Sequence, residues 1–233
     1  MLKLLYEDHS IIVVEKPVGM ESQSSRGFDP DMVSEIKKHI RSLSTDQREP
    51  YVGVIHRLDK PVSGVMVYAK TQKAAAALSR QVQDGTMKKI YRAVLCGKPV
   101  DSVGNYVDYL RKDGKTNCSS IVEKGISDAK RAELNYRTLK TIEVEGQVLT
   151  LAEVELLTGR HHQIRVQFAG HGTPLWGDQK YNPQFSQGGR RVGSVALSAC
   201  RLAFCHPVTK KRVEFTMEPQ GEIFGRFQPL IDN

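Results

Sequence analysis

Short runs rich in β-forming residues, separated by polar turns, recur along this chain of 233 residues. They occupy residues 2–6, 11–14, 65–69, 90–95, 132–140, 147–156, 165–168, 195–204 and 212–217. Branched and aromatic side chains fit a pleated surface, and strands joined by short turns pair antiparallel. The pattern predicts an α+β fold, in which a largely antiparallel mixed sheet is flanked by helices and loops.

Two segments have helical spacing instead. Apolar side chains recur every three or four positions within residues 31–43. Thr71 is a residue type that caps helices, and the Ala-rich segment after it predicts a helix that ends near Asp84 and Gly85. Residues 101–128 are rich in Gly, Ser, Asp and Lys, which indicates an exposed hairpin or loop, and residues 182–193 are predicted to be a polar loop. No composition typical of a linker separates these parts, so we predict a single domain over residues 1–233.

The chain is basic, because 34 Lys and Arg residues outnumber 26 Asp and Glu residues and leave a net charge of +8. A positive surface favours a polyanionic partner such as nucleic acid. No apolar run is long enough to cross a membrane, and the first residues lack the pattern of a secretory signal. Because the four cysteines show neither CxxC pairs nor zinc-finger spacing, we expect free thiols in a reducing cytoplasm. The sequence therefore predicts a cytoplasmic protein that binds no metal.

The segment from His56 to Gly64, HRLDKPVSG, places one acid between basic residues just before a predicted strand. A loop that leads into a strand presents its side chains on a rigid base, and nearby cations keep a carboxylate ionised. An ionised carboxylate can act as a nucleophile, which makes Asp59 a candidate catalytic residue. The alternative is that Asp59 is a turn residue whose carboxylate is satisfied by backbone N–H groups.

A second polar cluster, GRHHQIRVQ, covers residues 159–167. If this segment is a strand, its alternation points Arg160 and His162 to one face and His161 and Arg165 to the other. Two histidines on opposite faces would not bind one metal ion together. Such a strand could direct Arg165 toward a carboxylate while other basic groups face phosphate, or it could be a solvated basic edge strand.

Together these segments resemble the RluA-type family of pseudouridine synthases. The HRLD…SG segment is similar to the family signature around its catalytic aspartate, and GRHHQIR is similar to its GR-x-HQIR block. Four further blocks resemble the family in the same order: EKPVG at residues 15–19, KKIYRA at 88–93, GDQKY at 177–181 and HPVT at 206–209. The resemblance spans residues 16 to about 215. It implies an enzyme that isomerises uridine in RNA to pseudouridine without a cofactor or a metal ion.

The resemblance also implies three catalytic residues. Asp59 would be the essential aspartate, Arg165 would pair with it and orient its carboxylate, and Tyr91 would lie against the target base. Asp59 could add covalently at C1′ or remove a C2′ proton to form a glycal, and the sequence leaves both routes open. The target base must leave its stack to be reached, so the resemblance implies base flipping.

Six further residues are implied to bind the RNA or the substrate. Ile164 would form an apolar wall of the pocket, and Arg57 would help to hold the displaced nucleotide. Lys16, Arg160, His162 and Gln163 would contribute to the cleft or contact phosphates. The implied partner is structured RNA, either ribosomal or transfer RNA, and we expect the protein to be a monomer.

The chain departs from the family pattern at several positions. Val62 stands where the family usually has Thr, His161 where Thr is usual, and Gln167 where His is usual. Residues 21–24 lack the His that often follows the KP-x-G turn, and we expect no N-terminal S4 domain, since the catalytic pattern begins almost at Met1. These departures leave open a non-catalytic RNA-binding protein or RNA chaperone with the same fold. A hydrolase or metal-dependent nuclease that uses Asp59 and the histidines is disfavoured, because it would need more carboxylates or histidines at ligand spacing.

Overall fold

The computed structural model describes residues 2–24, 30–43, 48–186 and 193–228. The strands are β1 (Lys3–Glu7), β2 (Ile11–Lys16), β3 (Gly53–Val54), β4 (Ser63–Ala69), β5 (Lys88–Cys96), β6 (Val103–Asp113), β7 (Cys118–Val122), β8 (Lys130–Val144), β9 (Gln147–Leu156), β10 (Leu197–Cys205) and β11 (Arg212–Thr216). The helices are α1 (Met32–Ser42), α2 (Gln72–Gln83), α3 (Gln163–Gly170) and α4 (Glu222–Gly225), with a 3-10 helix at Pro183–Phe185.

The chain divides into two compact units. Unit 1 comprises Met1–Lys89 and Ala199–Glu218, and unit 2 comprises Ile90–Ser198 and Pro219–Asn233. The strands of each unit pair with antiparallel neighbours, and helices accompany them. The predicted α+β fold with a largely antiparallel sheet is therefore confirmed. A single domain over residues 1–233 stays a prediction.

Unit 1 is built on a sheet in which β2 and β4 are buried along their whole length. Its strand order is β1-β2-β4-β10, with β3 paired to β4 and β11 paired to β10. Continuous apolar runs such as those in β2 and β4 are typical of strands that are covered on both faces. On one face, Ala74 and Leu78 of α2 pack with side chains of β2, β4 and β10. The two central strands thus form a rigid base for the loops at their ends.

Gly64 is required where β4 passes β10. A Cβ atom at this position would lie 2.4 Å from the Cβ of Ala199 and 2.7 Å from its backbone N and O atoms. The φ angle of Gly64 is also +150°, a conformation that residues with a side chain rarely adopt. The SG pair that closes the HRLD…SG segment therefore allows the close approach of two backbones.

Unit 2 is an antiparallel sheet with the strand order β5-β9-β8-β6-β7. Its main core combines apolar side chains from β5 and β9 with Trp176, Phe185, Phe224 and Phe227. Strands β6 and β7 form the hairpin that was predicted within residues 101–128. Helix α3 packs against this hairpin so closely that a Cβ atom on Gly170 would lie 2.3 Å from the Cδ1 atom of Ile121.

Both predicted helices of unit 1 are confirmed. Asp31 caps α1 with a full capping box that includes Ser34, and the hydroxyl of Thr71 accepts a hydrogen bond from the backbone N–H of Ala74 at the start of α2. The predicted loop at residues 182–193 includes the short 3-10 helix, and its residues 187–192 lie outside the described part. No helix among the described residues is long and apolar enough to cross a membrane.

The predicted strand at residues 165–168 is wrong, because this segment lies inside helix α3. The first six of the eight residues of α3, 163–168, are all buried, so this part of the helix has no solvent-facing stripe and no helical alternation of polar and apolar residues. Ile164, Val166 and Phe168 favour strands in isolation, but burial on all sides outweighs that preference.

Asp8 organises the turn between β1 and β2. One oxygen of its carboxylate accepts hydrogen bonds from the backbone N–H groups of Ser10 and Ile11, each 2.8 Å long, and the other lies 2.9 Å from Nε2 of His206. Partial burial alone would raise the pKa of Asp8, but these hydrogen bonds and His206 lower it to about 2. The folded state therefore favours ionised Asp8.

We expect Asp8→Ala to lower the melting temperature by about 2–4 °C at neutral pH, since losing a capping-type acceptor costs about 1 kcal/mol. The contribution of the ionised carboxylate is complete above the ordinary pKa of 3.8 and is lost as the pH falls through about 2. Melting curves of both proteins across acidic pH test this. A difference that stays constant as the pH falls toward 2 would contradict it.

Candidate active site

Asp59 lies on the loop between β3 and β4, and it is half-buried. The loop turns directly after it, since the backbone N–H of Val62 donates to the carbonyl of Asp59 over 2.9 Å. Leu58, the residue before it, has its side chain buried, whereas Arg57 is exposed. The carboxylate is therefore carried by a backbone that is anchored in the core of unit 1.

The KPVG turn contacts this loop from the end of β2. The backbone N–H of Gly19 donates to the carbonyl of Lys60 over 2.8 Å, and φ of Gly19 is +84°, as a left-handed turn position requires. The ammonium group of Lys16 is fully buried and donates to the carbonyls of Pro17, Met20 and Lys60 over 2.9, 2.6 and 3.3 Å. The two segments are thus joined by backbone and side-chain hydrogen bonds.

Burial lowers the pKa of Lys16 to about 8, and the carboxylates of Asp59 and Glu21 oppose this shift. The positive charge of Lys16 thus interacts with the carboxylate of Asp59 inside unit 1. Because all three hydrogen bonds of the ammonium group go to carbonyls of its own unit, Lys16 supports the loop from inside. Its predicted contact with RNA stays a prediction.

Ser22 holds the same loop and was not singled out from the sequence. Its hydroxyl donates to the carbonyl of Leu58 over 2.9 Å and accepts from the backbone N–H of Leu58 over 3.0 Å. Ser22 is buried, and its own carbonyl accepts a hydrogen bond from the hydroxyl of Tyr68 in β4. The sequence marked this position only as part of the segment that lacks the family's usual His.

His56 begins the HRLD segment, and its imidazole is neutral. Burial lowers its pKa to about 3, and the cation of Lys89 contributes to the shift. Its Nε2 atom accepts a hydrogen bond from the backbone N–H of Val67 over 3.3 Å, so the proton lies on Nδ1. His56 therefore ties the loop to β4 and does not supply a proton at neutral pH.

In unit 2, Tyr91 lies on β5, opposite Val154 of β9, and only 5% of its surface is exposed. A side chain in the middle of a paired strand has little freedom, so its ring position is set by the sheet. The block KKIYRA, from which Tyr91 was identified, forms the first half of this strand.

The two histidines before α3 stack against each other. Their ring centroids are 3.7 Å apart, so the prediction that His161 and His162 point to opposite faces is wrong. His162 is the N-cap of α3 and has φ of 54°, a left-handed conformation that breaks the strand-like alternation. Burial raises the pKa of Tyr181 to about 12, so its hydroxyl keeps its proton and can donate to Nδ1 of His162 over 2.7 Å.

Arg165 forms a buried, bidentate ion pair with Asp178. Its Nε and Nη2 atoms each donate to one carboxylate oxygen over 2.7 Å, and 4% of the arginine and none of the aspartate is exposed. The guanidinium carbon also lies 5.2 Å from the ring centroid of Tyr181. Asp178 belongs to the GDQKY block, whose match to the family was the only sequence signal for it. The predicted pair of Arg165 with Asp59 has one member in each unit, and it stays a prediction.

The remaining predicted residues of unit 2 differ in exposure. Gln163 is buried, and its amide group bonds to Thr158, to the backbone of Arg160, to the carbonyl of Glu133 and to Gln167. Ile164 is buried as well, whereas Arg160 is exposed and donates through Nε to the carbonyl of Arg131. Gln163 thus organises the loop that leads into α3.

Within each unit, the structure brings the predicted residues close together in sets. Lys16, Arg57 and Asp59 share one loop region of unit 1, and residues 160–165 share the start of α3 in unit 2. Among the described residues, no group of three or more His, Cys, Asp or Glu side chains is arranged to hold a metal ion.

We expect Asp178→Ala to destabilise the protein by about 3–5 kcal/mol, because it leaves a buried guanidinium without its carboxylate. Arg165→Met combined with Asp178→Leu should lose less than either single change does. Urea unfolding measures the free energy of unfolding of each variant, with Glu222→Ala as the control. That variant removes the exposed pair of Glu222 with Arg226 and should change stability by less than about 0.5 kcal/mol. Equal losses of stability in Asp178→Ala and Glu222→Ala would contradict the prediction.

The chain is similar in sequence to known proteins of one family. Residues 10–170 match the family model described as RNA pseudouridylate synthase. The ribosomal large subunit pseudouridine synthase D of Zymomonas mobilis is 32% identical over 99% of this chain and 73% of its own length. A protein of the same name from Neisseria meningitidis serogroup B is 34% identical over 96% of this chain and 59% of its own length. An RNA pseudouridine synthase of Aquifex aeolicus is 33% identical over 93% of this chain and 69% of its own length.

Two solved structures share the fold. Human RNA pseudouridylate synthase domain containing 4 has a TM-score of 0.76 at 20% identity, and the match covers 96% of this chain and 90% of that one. Human RNA pseudouridylate synthase domain containing 1 has a TM-score of 0.74 at 22% identity, over 94% of this chain and 83% of that one. The family resemblance that the sequence predicts is confirmed. The chain belongs to the RNA pseudouridylate synthase family and is an isomerase that acts on RNA.

Proposed function

We propose that this enzyme converts a uridine of large-subunit ribosomal RNA to pseudouridine, with Asp59 as its catalytic residue. The names of relatives such as those of Zymomonas and Neisseria, which refer to the ribosomal large subunit, support this substrate. The observation that carries the catalytic assignment is the half-buried Asp59 on a backbone that hydrogen bonds hold on both sides. Transfer RNA is the alternative substrate of the same reaction.

The reaction breaks the N1–C1′ bond of uridine, rotates the uracil and joins C5 to C1′. C5 loses a proton and N1 gains one, so no electron is gained or lost overall. Asp59 adds at C1′ or removes the C2′ proton, and both routes need an ionised carboxylate. The buried ammonium group of Lys16 interacts electrostatically with this carboxylate. A fixed carboxylate also lowers the barrier by removing the need to orient it during the reaction.

In the proposed site, Tyr91 stacks on the extruded uracil and assists the removal of the proton from C5. Stacking of a base on an aromatic ring contributes about 1–3 kcal/mol, which offsets part of the cost of leaving the RNA stack. Ile164 forms an apolar wall, and Arg165 pairs with Asp59. The ion pair of Arg165 with Asp178 supports this role, because it fixes the guanidinium in one orientation.

Exposure separates the residues proposed to contact RNA into two groups. Arg57 and Arg160 are exposed and basic, so we assign the phosphate contacts to them. Lys16, His162 and Gln163 are buried and bonded internally, so we assign them to the support of the site. We propose that the enzyme acts as a monomer in the cytoplasm.

We expect Asp59→Asn to abolish pseudouridine formation while the protein folds normally, because the amide cannot act as a nucleophile or base. Purified protein is incubated with large-subunit ribosomal RNA, small-subunit ribosomal RNA and transfer RNA transcripts, and pseudouridine is mapped by carbodiimide-based primer extension. Asp84→Asn is the control, since Asp84 lies in an exposed turn of the same unit and its carboxylate bonds locally to Thr86.

A site-specific signal in large-subunit RNA that Asp59→Asn removes and Asp84→Asn keeps would support both the reaction and the substrate. A signal only in transfer RNA would support the reaction and overturn the substrate. RNA binding without any pseudouridine would instead favour a non-catalytic RNA-binding protein.

We expect Arg57→Ala and Arg160→Ala each to weaken RNA binding and to reduce the slope of log K against log salt by about 1, because each removes one phosphate contact. Binding isotherms at several salt concentrations measure the slope. Lys73→Ala, on the exposed side of α2, is the matched control for lost charge. A slope change in Lys73→Ala as large as in the other two would show that the net charge alone governs binding.

A further inference from the structure

Three consecutive peptide groups around Asp59 have their carbonyl oxygens bonded. The carbonyl of Leu58 accepts from the hydroxyl of Ser22, that of Asp59 from the N–H of Val62, and that of Lys60 from the N–H of Gly19. Each peptide group is planar, so a bonded carbonyl fixes the whole group. The φ and ψ angles of Asp59 lie between two such fixed planes, which leaves its carboxylate only the rotations of its own side chain.

We propose that Ser22 is a positioning residue of the pseudouridine synthase reaction, whose hydroxyl fixes the Leu58–Asp59 peptide and thereby aims the carboxylate of Asp59. This inference rests on the proposed catalytic role of Asp59. A hydroxyl is suited to the task because a single atom donates to the carbonyl of Leu58 and accepts from its N–H. The two bonds, 2.9 and 3.0 Å long, bind both polar groups of the residue that precedes Asp59.

Ser22 is itself held in place. Its carbonyl accepts a hydrogen bond of 3.0 Å from the hydroxyl of Tyr68, and its Oγ atom lies 3.5 Å from the sulfur of Met66. Tyr68 and Met66 are fully buried on β4, the strand that Asp59 precedes. The hydrogen bonds from Tyr68 to Ser22 and between Ser22 and Leu58 thus connect the sheet to the backbone next to Asp59.

A second reading is that the hydroxyl of Ser22 only satisfies buried backbone groups and so contributes to stability. Unit 1 provides a matched comparison in Ser10, which is also buried and whose hydroxyl donates to Asp8 over 3.0 Å. Ser10 lies in the β1–β2 turn and has no role in the proposed site. A structural role alone would give Ser22→Ala and Ser10→Ala the same phenotype.

The experiment measures single-turnover pseudouridine formation at saturating enzyme, RNA affinity and melting temperature for the full chain and both variants, on the RNA that the wild-type protein modifies. We expect Ser22→Ala to react about 10- to 100-fold more slowly, since a misplaced reacting group costs rates of this order. Its RNA affinity should stay within about twofold of the wild type, because Ser22 is buried and its hydroxyl bonds inside unit 1. Ser10→Ala should lose stability and keep the wild-type rate.

A wild-type rate in Ser22→Ala, or an equal loss of rate in Ser10→Ala, would overturn the positioning role while leaving the proposed function intact. Should Ser22→Ala not fold, Ser22→Cys decides the matter, because a thiol keeps the volume and makes only weak hydrogen bonds. A slower rate in folded Ser22→Cys supports the proposal, and a wild-type rate overturns it. A wild-type protein that forms no pseudouridine in any RNA would overturn the proposed function and the positioning role with it.

Discussion

The register between β2 and β4 is the constraint on which unit 1 depends. The two strands pair antiparallel, with Ile11 opposite Ala69 and Lys16 opposite Gly64. The chain therefore leaves β2 at the same end where the Asp59 loop enters β4, and residues 16–22 meet residues 58–60 without a long connection. A shift of one residue would turn every side chain of the strand to the other face, which the burial of both strands forbids. The burial of β2 and β4 thus fixes the register that brings residues 16–22 close to residues 58–60.

Unit 2 depends on a buried permanent cation, the guanidinium of Arg165. An arginine cannot lose its proton, so a buried guanidinium needs a partner of opposite charge with good geometry. Asp178 provides this, and its Oδ1 atom also accepts hydrogen bonds from the backbone N–H groups of Lys180 and Tyr181. Tyr181 in turn bonds to His162 and to the backbone N–H of Ser119 in β7. The loop at residues 178–181 therefore links the start of α3 to the hairpin through one network.

Most of the fold could be predicted from the sequence because its elements have local causes. Thr71 caps α2. Residues 147–156, which are rich in branched apolar side chains, form a strand whose central residues are buried. The segment at residues 160–168 could not be predicted in this way. The first six residues of its helix are all buried, and His162, in a left-handed conformation, bonds to Tyr181, 19 residues further along the chain. Local preference and periodicity carry no information about such contacts.

The candidate site was predictable in its chemistry and not in its supports. Asp59 stood out because it lies between basic residues just before a predicted strand, and the blocks around Asp59, Tyr91 and Arg165 carried the family resemblance. Ser22 and Asp178 did not stand out, because a serine or an aspartate gains importance only from the atoms that it meets in the folded chain. Their partners, Leu58 and Arg165, lie 36 and 13 residues away. Spacing within a motif cannot reveal pairs of this kind.

Three of the departures from the family pattern, Val62, His161 and Gln167, are accommodated by contacts of this chain. Val62 is buried and apolar, so no hydroxyl at this position needs a partner. The imidazole of His161 bonds to the hydroxyl of Ser119 in the hairpin, and the amide of Gln167 bonds to Gln163 and to Asp108 of β6. His161 and Gln167 thus contribute to the contacts of α3 and the residues before it with the hairpin. In the sequence, both positions are far from the loop that carries Asp59. The departure at residues 21–24 differs, because Ser22 of that segment bonds to the backbone of Leu58, next to Asp59.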